Sequence, residues 1–129
     1  RAALPAIAAL HATSSVPAVL DHLAGIDATT PDDDPAWPAL AALAQRGAWV
    51  KLSGWYRLGA VAPYAALRPF IRRVATLFSE REVWGSDWPH TAFAADELPP
   101  YATLWQPVVG ALGPAAAQAL RERLPALYR

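Results

Sequence analysis

Residues Glu82-Val83-Trp84-Gly85-Ser86-Asp87 form a short apolar run that ends in polar residues, and Trp88-Pro89-His90 follow it directly. A brief β-branched and aromatic run of this kind is typical of a buried strand. Two similar runs precede it, Val16–His22 and Ala48–Ser53. The three runs begin about 33 residues apart, which is the length of one strand-plus-helix unit. The spacing therefore predicts three strands joined by helical connections.

Helical patterns separate and follow these runs. Asp34 is a candidate N-cap, with Pro35 in the first turn, for a helix that stops at Gly47. The next connection carries apolar residues at helical spacing: Leu67, Phe70, Ile71, Val74 and Phe78. Two further helices are predicted over Tyr101–Gly110 and Pro114–Leu124. Strands that alternate with helices predict an α/β fold with a parallel sheet and right-handed crossovers.

The composition limits the class of protein. The 129 residues are 54% hydrophobic and 17% charged, which is typical of a chain that folds around a core. Eleven Lys plus Arg balance eleven Asp plus Glu, so no general attraction to nucleic acid or to anionic membranes is expected. No apolar run reaches the ~20 residues that cross a bilayer. The absence of Cys excludes disulfides and thiolate metal sites.

The beginning of the sequence carries no signal-peptide pattern, and we expect a cytoplasmic protein. The first residue is Arg1, and the sequence opens inside a helical pattern. We therefore expect a piece of a longer protein.

Residues able to perform chemistry follow each predicted strand. The first strand ends in Asp21-His22, the second continues into Ser53–Arg57, and the third continues into Gly85–His90. In parallel α/β folds the functional groups gather at the carboxyl ends of the strands. We therefore expect these three stretches to meet at one end of the sheet.

Asp87 is the strongest candidate for a catalytic group, because a carboxylate held among aromatic residues can act as a general base on water. The alternative is a loop-capping aspartate. His22 is either a site residue or a structural hydrogen-bonding histidine. Arg57 is either a clamp for a substrate carboxylate or a surface ion pair. Lys51 and Ser53 alternate onto one strand face, and the direction of that face is left open.

Other notable residues favour structural roles. His11 is interpreted as a cap at a helix C-terminus. The acidic run Asp32–Asp34 is interpreted as a solvated loop before a helix, with an acidic metal site as the alternative. The six tryptophans divide into two groups. Three of them are expected to wall an apolar pocket: Trp55, Trp84 and Trp88. The others are expected in the core: Trp37, Trp49 and Trp105.

Three stretches together resemble a known family. They are Val19–Gly25, Trp49–Arg57 and, most specifically, Val83–His90. In order and spacing they are similar to the second half of an amidohydrolase-2-type (β/α)8 barrel, in the branch of 2-pyrone-4,6-dicarboxylate and sugar lactonases. The resemblance covers nearly the whole chain and implies a single partial barrel domain over residues 1–129, roughly strands five to eight. The ending Pro125–Tyr128 matches the terminal helix of that family only in part.

The resemblance also implies roles for individual residues. Asp87 corresponds to the last-strand aspartate that activates the hydrolytic water, and His22 to the histidine that polarises the carbonyl or positions the water. Arg57, His90 and the adjacent Tyr56 correspond to substrate-binding positions. No obligatory metal is implied for the lactonase branch, with a divalent metal such as Zn²⁺ as the alternative.

One departure from the family concerns its first strand, which ends in a His-x-His pair. This chain contains no such pair. A full barrel takes about 250 residues, so the chain holds about half of one and is not expected to be catalytically complete alone.

Three hypotheses follow. The first is the C-terminal half of a lactone hydrolase that acts on a dicarboxylate or sugar lactone. The second is a metal-dependent amidohydrolase or decarboxylase of the same superfamily. The third is a non-catalytic half-barrel. The expected partner is a small-molecule substrate, and a homo-oligomer is the expected form of the isolated chain, because a half-barrel leaves open sheet edges.

Overall fold

The computed structural model describes residues 1–91, 93, 94 and 96–127. Within these residues, eight regular elements follow one another along the chain. They are α1 (Leu4–Ala12), β1 (Val19–Leu20), α2 (Ala36–Gln45), β2 (Trp49–Leu52), α3 (Arg68–Phe78), β3 (Glu82–Trp84), α4 (Tyr101–Leu112) and α5 (Pro114–Leu127). Three short 3₁₀ turns lie in the connections: His22–Gly25, Trp55–Leu58 and Ala65–Leu67. Tyr128, which belongs to the partly matching C-terminal stretch, lies outside the described residues.

The three strands form one parallel sheet in the order β1-β2-β3. Val19 pairs with Trp49 in the first ladder, and Lys51 pairs with Val83 in the second. The prediction of adjacent parallel strands in sequence order is confirmed. Because parallel strands run in one direction, their carboxyl ends lie at the same edge of the sheet.

The strands are shorter than the predicted runs. The first run was expected to span Val16–His22, but only Val19–Leu20 pair as a strand. Pro17 has no N–H for a ladder, and His22 already has a φ of +50°, in the left-handed region. The first strand is therefore limited by Pro17 on one side and by the left-handed turn at His22 on the other.

The helices cover one face of the sheet. Val50 and Leu52 of β2 are fully buried in the core, whereas Trp49 and Lys51, which alternate with them, are only partly buried. The core between sheet and helices includes these fully buried residues: Leu40, Leu43, Ile71, Val74 and Phe78. The side chain of Lys51 therefore lies on the opposite, less covered face of the sheet.

The helix signals are largely confirmed. The backbone N–H of Ala36 donates to Oδ1 of Asp34 at 2.8 Å, and the chain leaves α2 at Gly47, whose φ is +85°. Pro69 lies in the first turn of α3, as its fixed φ favours. The last two helices extend to Leu112 and Leu127, beyond their predicted ends.

The role expected for His11 is wrong. Thr13 caps α1, while the His11 ring is buried and neither of its nitrogens has a hydrogen-bond partner among the described residues. No described helix combines the length and the apolar character needed to span a membrane.

Candidate active site

A pocket of about 370 Å³ opens at the carboxyl ends of the three strands. Residues that follow all three strands line it: Asp21, His22, Lys51, Ser53, Val83, Trp84, Gly85, Ser86, Asp87 and Trp88. The convergence follows from the parallel sheet, since each strand delivers its next residues to the same edge. The stretches expected at one end of the sheet are therefore together in space.

Asp87 lies at the centre of the hydrogen bonds of this site. Its Oδ2 accepts hydrogen bonds from the Tyr56 hydroxyl and from Nε of Arg57, each at 2.5 Å. Its Oδ1 lies 3.8 Å from Nε2 of His22. The φ of Asp87 is +63°, in the left-handed region that aspartate tolerates better than most residues. One carboxylate oxygen is thus held by two donors, while the other faces His22.

Burial and hydrogen bonding oppose each other at Asp87. Partial burial acts to raise the pKa of the carboxyl group. The hydrogen bonds from Arg57 and Tyr56, together with the charges of His22 and Arg57, outweigh burial and lower the pKa below its ordinary value. Asp87 is therefore ionised at neutral pH and ready to accept a proton.

The neighbouring phenol responds in the opposite direction. Burial and the hydrogen bond to the Asp87 carboxylate raise the pKa of Tyr56 to about 12. Tyr56 consequently keeps its proton at neutral pH and remains a donor to Asp87.

A left-handed turn after β1 sets the position of His22. His22, Leu23 and Ala24 have φ values of +50°, +52° and +57°. The His22 Nδ1 lies 3.1 Å from the Ser53 hydroxyl, at the end of the neighbouring strand. A Cβ on Gly54 would come within 2.4 Å of that same nitrogen. The absence of a side chain at position 54 therefore gives the imidazole its place.

Tyr56, Arg57 and His90 are not among the residues that line the pocket. Besides its bond to Asp87, Arg57 donates from Nη2 to the Thr91 hydroxyl at 3.3 Å. The Tyr56 hydroxyl lies 3.2 Å from Nδ1 of His90, which is buried. These three residues, predicted to bind substrate, contact Asp87 or each other and do not line the pocket.

Lys51 and Asp21 contribute a second charged pair to the pocket. Nζ of Lys51 lies 2.9 Å from Oδ1 of Asp21. The alternation of β2 places Lys51 on the pocket side, which its sequence left open. The contact with Asp21 could not be predicted, because it depends on the register between two strands.

The tryptophans divide differently from the expected grouping. Trp84 and Trp88 line the pocket, and Trp88 is largely exposed. Trp55, expected in the pocket wall, is fully buried and donates from its indole nitrogen to the carbonyl of Leu104 in α4 at 2.7 Å. That expectation for Trp55 is wrong, because the 3₁₀ turn after β2 directs its side chain into the core.

Among the described residues, the pocket holds no cluster of candidate metal ligands. Within the described ranges, no three His, Cys, Asp or Glu side chains are gathered as ligands. His22 and Asp87 approach each other at the pocket, but Oδ2 of Asp87 is already bonded to the guanidinium cation of Arg57. Catalytic zinc sites usually take three protein ligands. The acidic run before α2 likewise offers no such set, since the exposed Asp32 pairs with Arg73.

The sequence of the whole chain was compared with models of known protein families. The amidohydrolase family model matches residues 2–124, nearly the whole chain. The chain belongs to the amidohydrolase family. The match includes the three stretches Val19–Gly25, Trp49–Arg57 and Val83–His90, and the resemblance is confirmed.

Individual relatives of this amidohydrolase chain act on lactones, as their names state. D-galactarolactone isomerase of Agrobacterium fabrum is 34% identical over 116 residues, which cover 86% of this chain and 40% of the isomerase. The 4-sulfomuconolactone hydrolase of Hydrogenophaga intermedia is 31% identical over 81 residues, 61% of this chain and 27% of the hydrolase.

A solved structure shares the fold. It is a probable 2-pyrone-4,6-dicarboxylic acid hydrolase from Acinetobacter baumannii with citric acid bound. It superposes with a TM-score of 0.69 at 26% identity, over 92% of this chain and 45% of that protein. The chain spans less than half the length of each of these relatives.

Proposed function

We propose that this chain supplies the Asp87 side of the active site of a lactone-hydrolysing amidohydrolase. Residues 1–129 would form part of a (β/α)8 barrel, in the region of strands five to eight. The observation that carries the proposal is the arrangement of Asp87, whose Oδ2 is bonded to Tyr56 and Arg57 while Oδ1 faces His22 at the pocket. The names of the relatives supply the substrate class.

The proposed reaction uses Asp87 first as a base and then as an acid. Oδ1 of Asp87 takes a proton from water, and the water oxygen forms a bond to the lactone carbonyl carbon. The bond between that carbon and the ring oxygen then breaks, and the proton held by Asp87 passes to the departing oxygen. The product is a hydroxy acid, or a keto acid where the released group is an enol. His22 polarises the carbonyl or positions the water.

The proposed substrate is a small lactone that carries a carboxylate. The related structure with citric acid bound supports an anionic ligand. Arg57 is the predicted carboxylate clamp. Because its Nε is bonded to Asp87, it would bind a substrate carboxylate and Asp87 with different nitrogens of one guanidinium group. Lys51 lies on the pocket wall itself.

Lactone isomerisation is a second candidate, favoured by the relative that matches 86% of this chain. In that reaction a hydroxyl group of the substrate replaces water as the nucleophile. The same aspartate would transfer the proton, and the ring would close on a different oxygen instead of opening.

The test is an activity assay of the complete barrel protein to which this chain would contribute, because half a barrel is not expected to be catalytically complete alone. Dicarboxylate lactones and neutral sugar lactones are the substrates, and the products are separated by chromatography. Ring-opened acids are expected, with anionic lactones preferred. Interconverted lactones without ring opening would identify an isomerase instead. Loss of activity with a chelator, restored by Zn²⁺, would favour the metal-dependent alternative. No turnover of any lactone would overturn the proposal.

Arg57→Ala tests the proposed clamp in the same assay. Removing a clamp that binds ground state and transition state alike raises KM for anionic lactones but not for neutral ones. The loss of the bond from Arg57 to Asp87 lowers kcat on both classes of lactone alike. An unchanged KM on every anionic lactone would contradict the clamp. Asp32→Asn is the control, because that exposed carboxylate lies outside the pocket lining.

A further inference from the structure

We propose that Tyr56 and His90 are positioning residues for Asp87 and do not bind substrate. They form a hydrogen-bonded chain, His90–Tyr56–Asp87, that holds one carboxylate oxygen away from the pocket and leaves the other facing it. The inference rests on the proposed function for its kinetic consequence. The hydrogen-bonded chain itself can be tested without any activity.

The direction of each hydrogen bond follows from the number of protons available. The Tyr56 hydroxyl has one proton, and the ionised carboxylate of Asp87 can only accept, so that proton is donated to Oδ2. The hydroxyl oxygen must then accept from the group 3.2 Å away, Nδ1 of His90. His90 is therefore assigned the tautomer that carries a proton on Nδ1.

The surroundings of the chain restrict its movement. His90 is only 5% exposed, and its backbone N–H donates to the carbonyl of Asp87 at 2.9 Å. The Tyr56 ring packs edge-on against Phe93, with centroids 4.7 Å apart, and Arg57 lies over its face. The hydroxyl is thus confined to the position from which it reaches Asp87.

Tyr56 and His90 lie outside the lining of the pocket. Neither residue lines the pocket, while both His22 and Asp87 do. The groups that face Asp87 are Arg57, Tyr56 and His22, and the charged pair Lys51–Asp21 lies across the same pocket. Among them, Tyr56 is the neutral donor, and its removal changes no charge at the site.

The first experiment measures the titration of the Asp87 carboxyl carbon by NMR in the full 129-residue chain. Tyr56→Phe keeps the ring and removes the hydroxyl, so the pKa of Asp87 should rise because one hydrogen bond to its charged form is lost. His90→Leu should raise the pKa of Asp87 by less. His90→Asn should return that pKa to its wild-type value, because Asn offers an N–H to the Tyr56 oxygen and tolerates the φ of +56° at this position. Tyr64→Phe, at a buried tyrosine outside the pocket lining, is the control and should leave the pKa of Asp87 unchanged.

The second experiment compares the kinetics of the same variants in the complete barrel protein, on a lactone that it hydrolyses. For Tyr56→Phe we expect kcat to fall about 10- to 100-fold, the effect of losing one hydrogen bond to a charged group. KM should stay within about twofold, and the acidic limb of the pH profile should move to higher pH.

The outcomes are distinguishable. An Asp87 titration that is the same in Tyr56→Phe and in the wild type would overturn the positioning role. A raised KM with unchanged kcat would also overturn it, because it would identify Tyr56 as a substrate contact. A shifted Asp87 titration in this chain, together with no lactone hydrolysis by the complete barrel protein, would support the hydrogen-bonded chain and reject the proposed function.

Discussion

At the scale of single residues, the site depends on backbone conformations that most side chains avoid. His22 and Asp87 both have φ values in the left-handed region, and they are the two residues proposed to act directly in the reaction. Between the strands that carry them, Gly54 has a φ of +62° and leaves room for the His22 ring. Glycine adopts such a conformation at no steric cost. Position 54 therefore combines a backbone requirement with a packing requirement.

Gly54→Ala should destabilise the chain more than Gly59→Ala. Both positions have similar positive φ values, +62° and +67°, so both variants lose about 1 kcal/mol to the left-handed backbone. Only Gly54 has a neighbour that a Cβ would strike, and overpacking of this kind adds about 1–3 kcal/mol. Urea unfolding of the two variants measures the difference. Equal losses would show that His22 does not need the space at position 54.

At the scale of elements, β3 is joined to α5 by an ion pair between the buried Glu82 and the partly buried Arg123. Glu82 at the start of β3 bonds to Arg123, while its second carboxylate oxygen, Oε2, has no hydrogen-bond partner among the described residues. Burial raises the pKa of Glu82 above 4.5, and Arg123 opposes that rise only in part. The pair therefore gives the packing of α5 a dependence on pH.

The sign of this dependence is fixed by the raised pKa. The folded chain binds the Glu82 proton more tightly than the unfolded chain, so this contribution is fully present below pH 4.5 and is lost as pH rises through the raised pKa. Glu82→Gln resembles the protonated form. The unfolding free energy of Glu82→Gln minus that of the wild type should increase as pH rises above 4.5 and then become constant, because only the wild type loses this contribution. Urea unfolding across that range is the measurement, with the exposed Glu122→Gln as control; a difference independent of pH would contradict the account.

Some features of the strands and helices could be predicted from the sequence and others could not. Strand identity and order followed from β-branched and aromatic runs at regular spacing, and helix starts followed from Asp34 and Pro69. Strand length did not, because the left-handed turn at His22 gives no clear signal in sequence. The contact between Tyr56 and Asp87 joins residues 31 positions apart. The sequence placed both residues at one edge of the sheet. It did not show that they are hydrogen-bonded to each other, since that depends on the rotamers of both side chains.

At the scale of the whole molecule, apolar surface remains uncovered beside β1. Three apolar side chains of α1 and of the segment before β1 line one groove: Ile7, Leu10 and Val16. Leu10 is 73% exposed and Val16 is 68% exposed. Exposed apolar patches next to a sheet edge favour association with another surface.

The isolated chain should therefore self-associate at micromolar concentration. Leu10→Glu and Val16→Glu should shift it toward the monomer, because a charge in the apolar groove opposes burial of that groove. Val61→Glu is the control, since Val61 is an even more exposed apolar residue outside the groove. Sedimentation velocity measures the distribution. A stable monomer for the unaltered chain would indicate that the groove needs no cover.

The central claim is that Asp87 transfers the proton in lactone hydrolysis, and the kcat of Asp87→Asn tests it most directly. The amide keeps the volume of the side chain and an oxygen acceptor but cannot take a proton from water. Measured on the lactone that the wild type hydrolyses fastest, kcat should fall at least ~10²–10⁴-fold, the range of acid–base catalysis. KM should change little, because substrate binding does not use the proton. An Asp87→Asn variant that keeps most of the wild-type kcat would contradict the account.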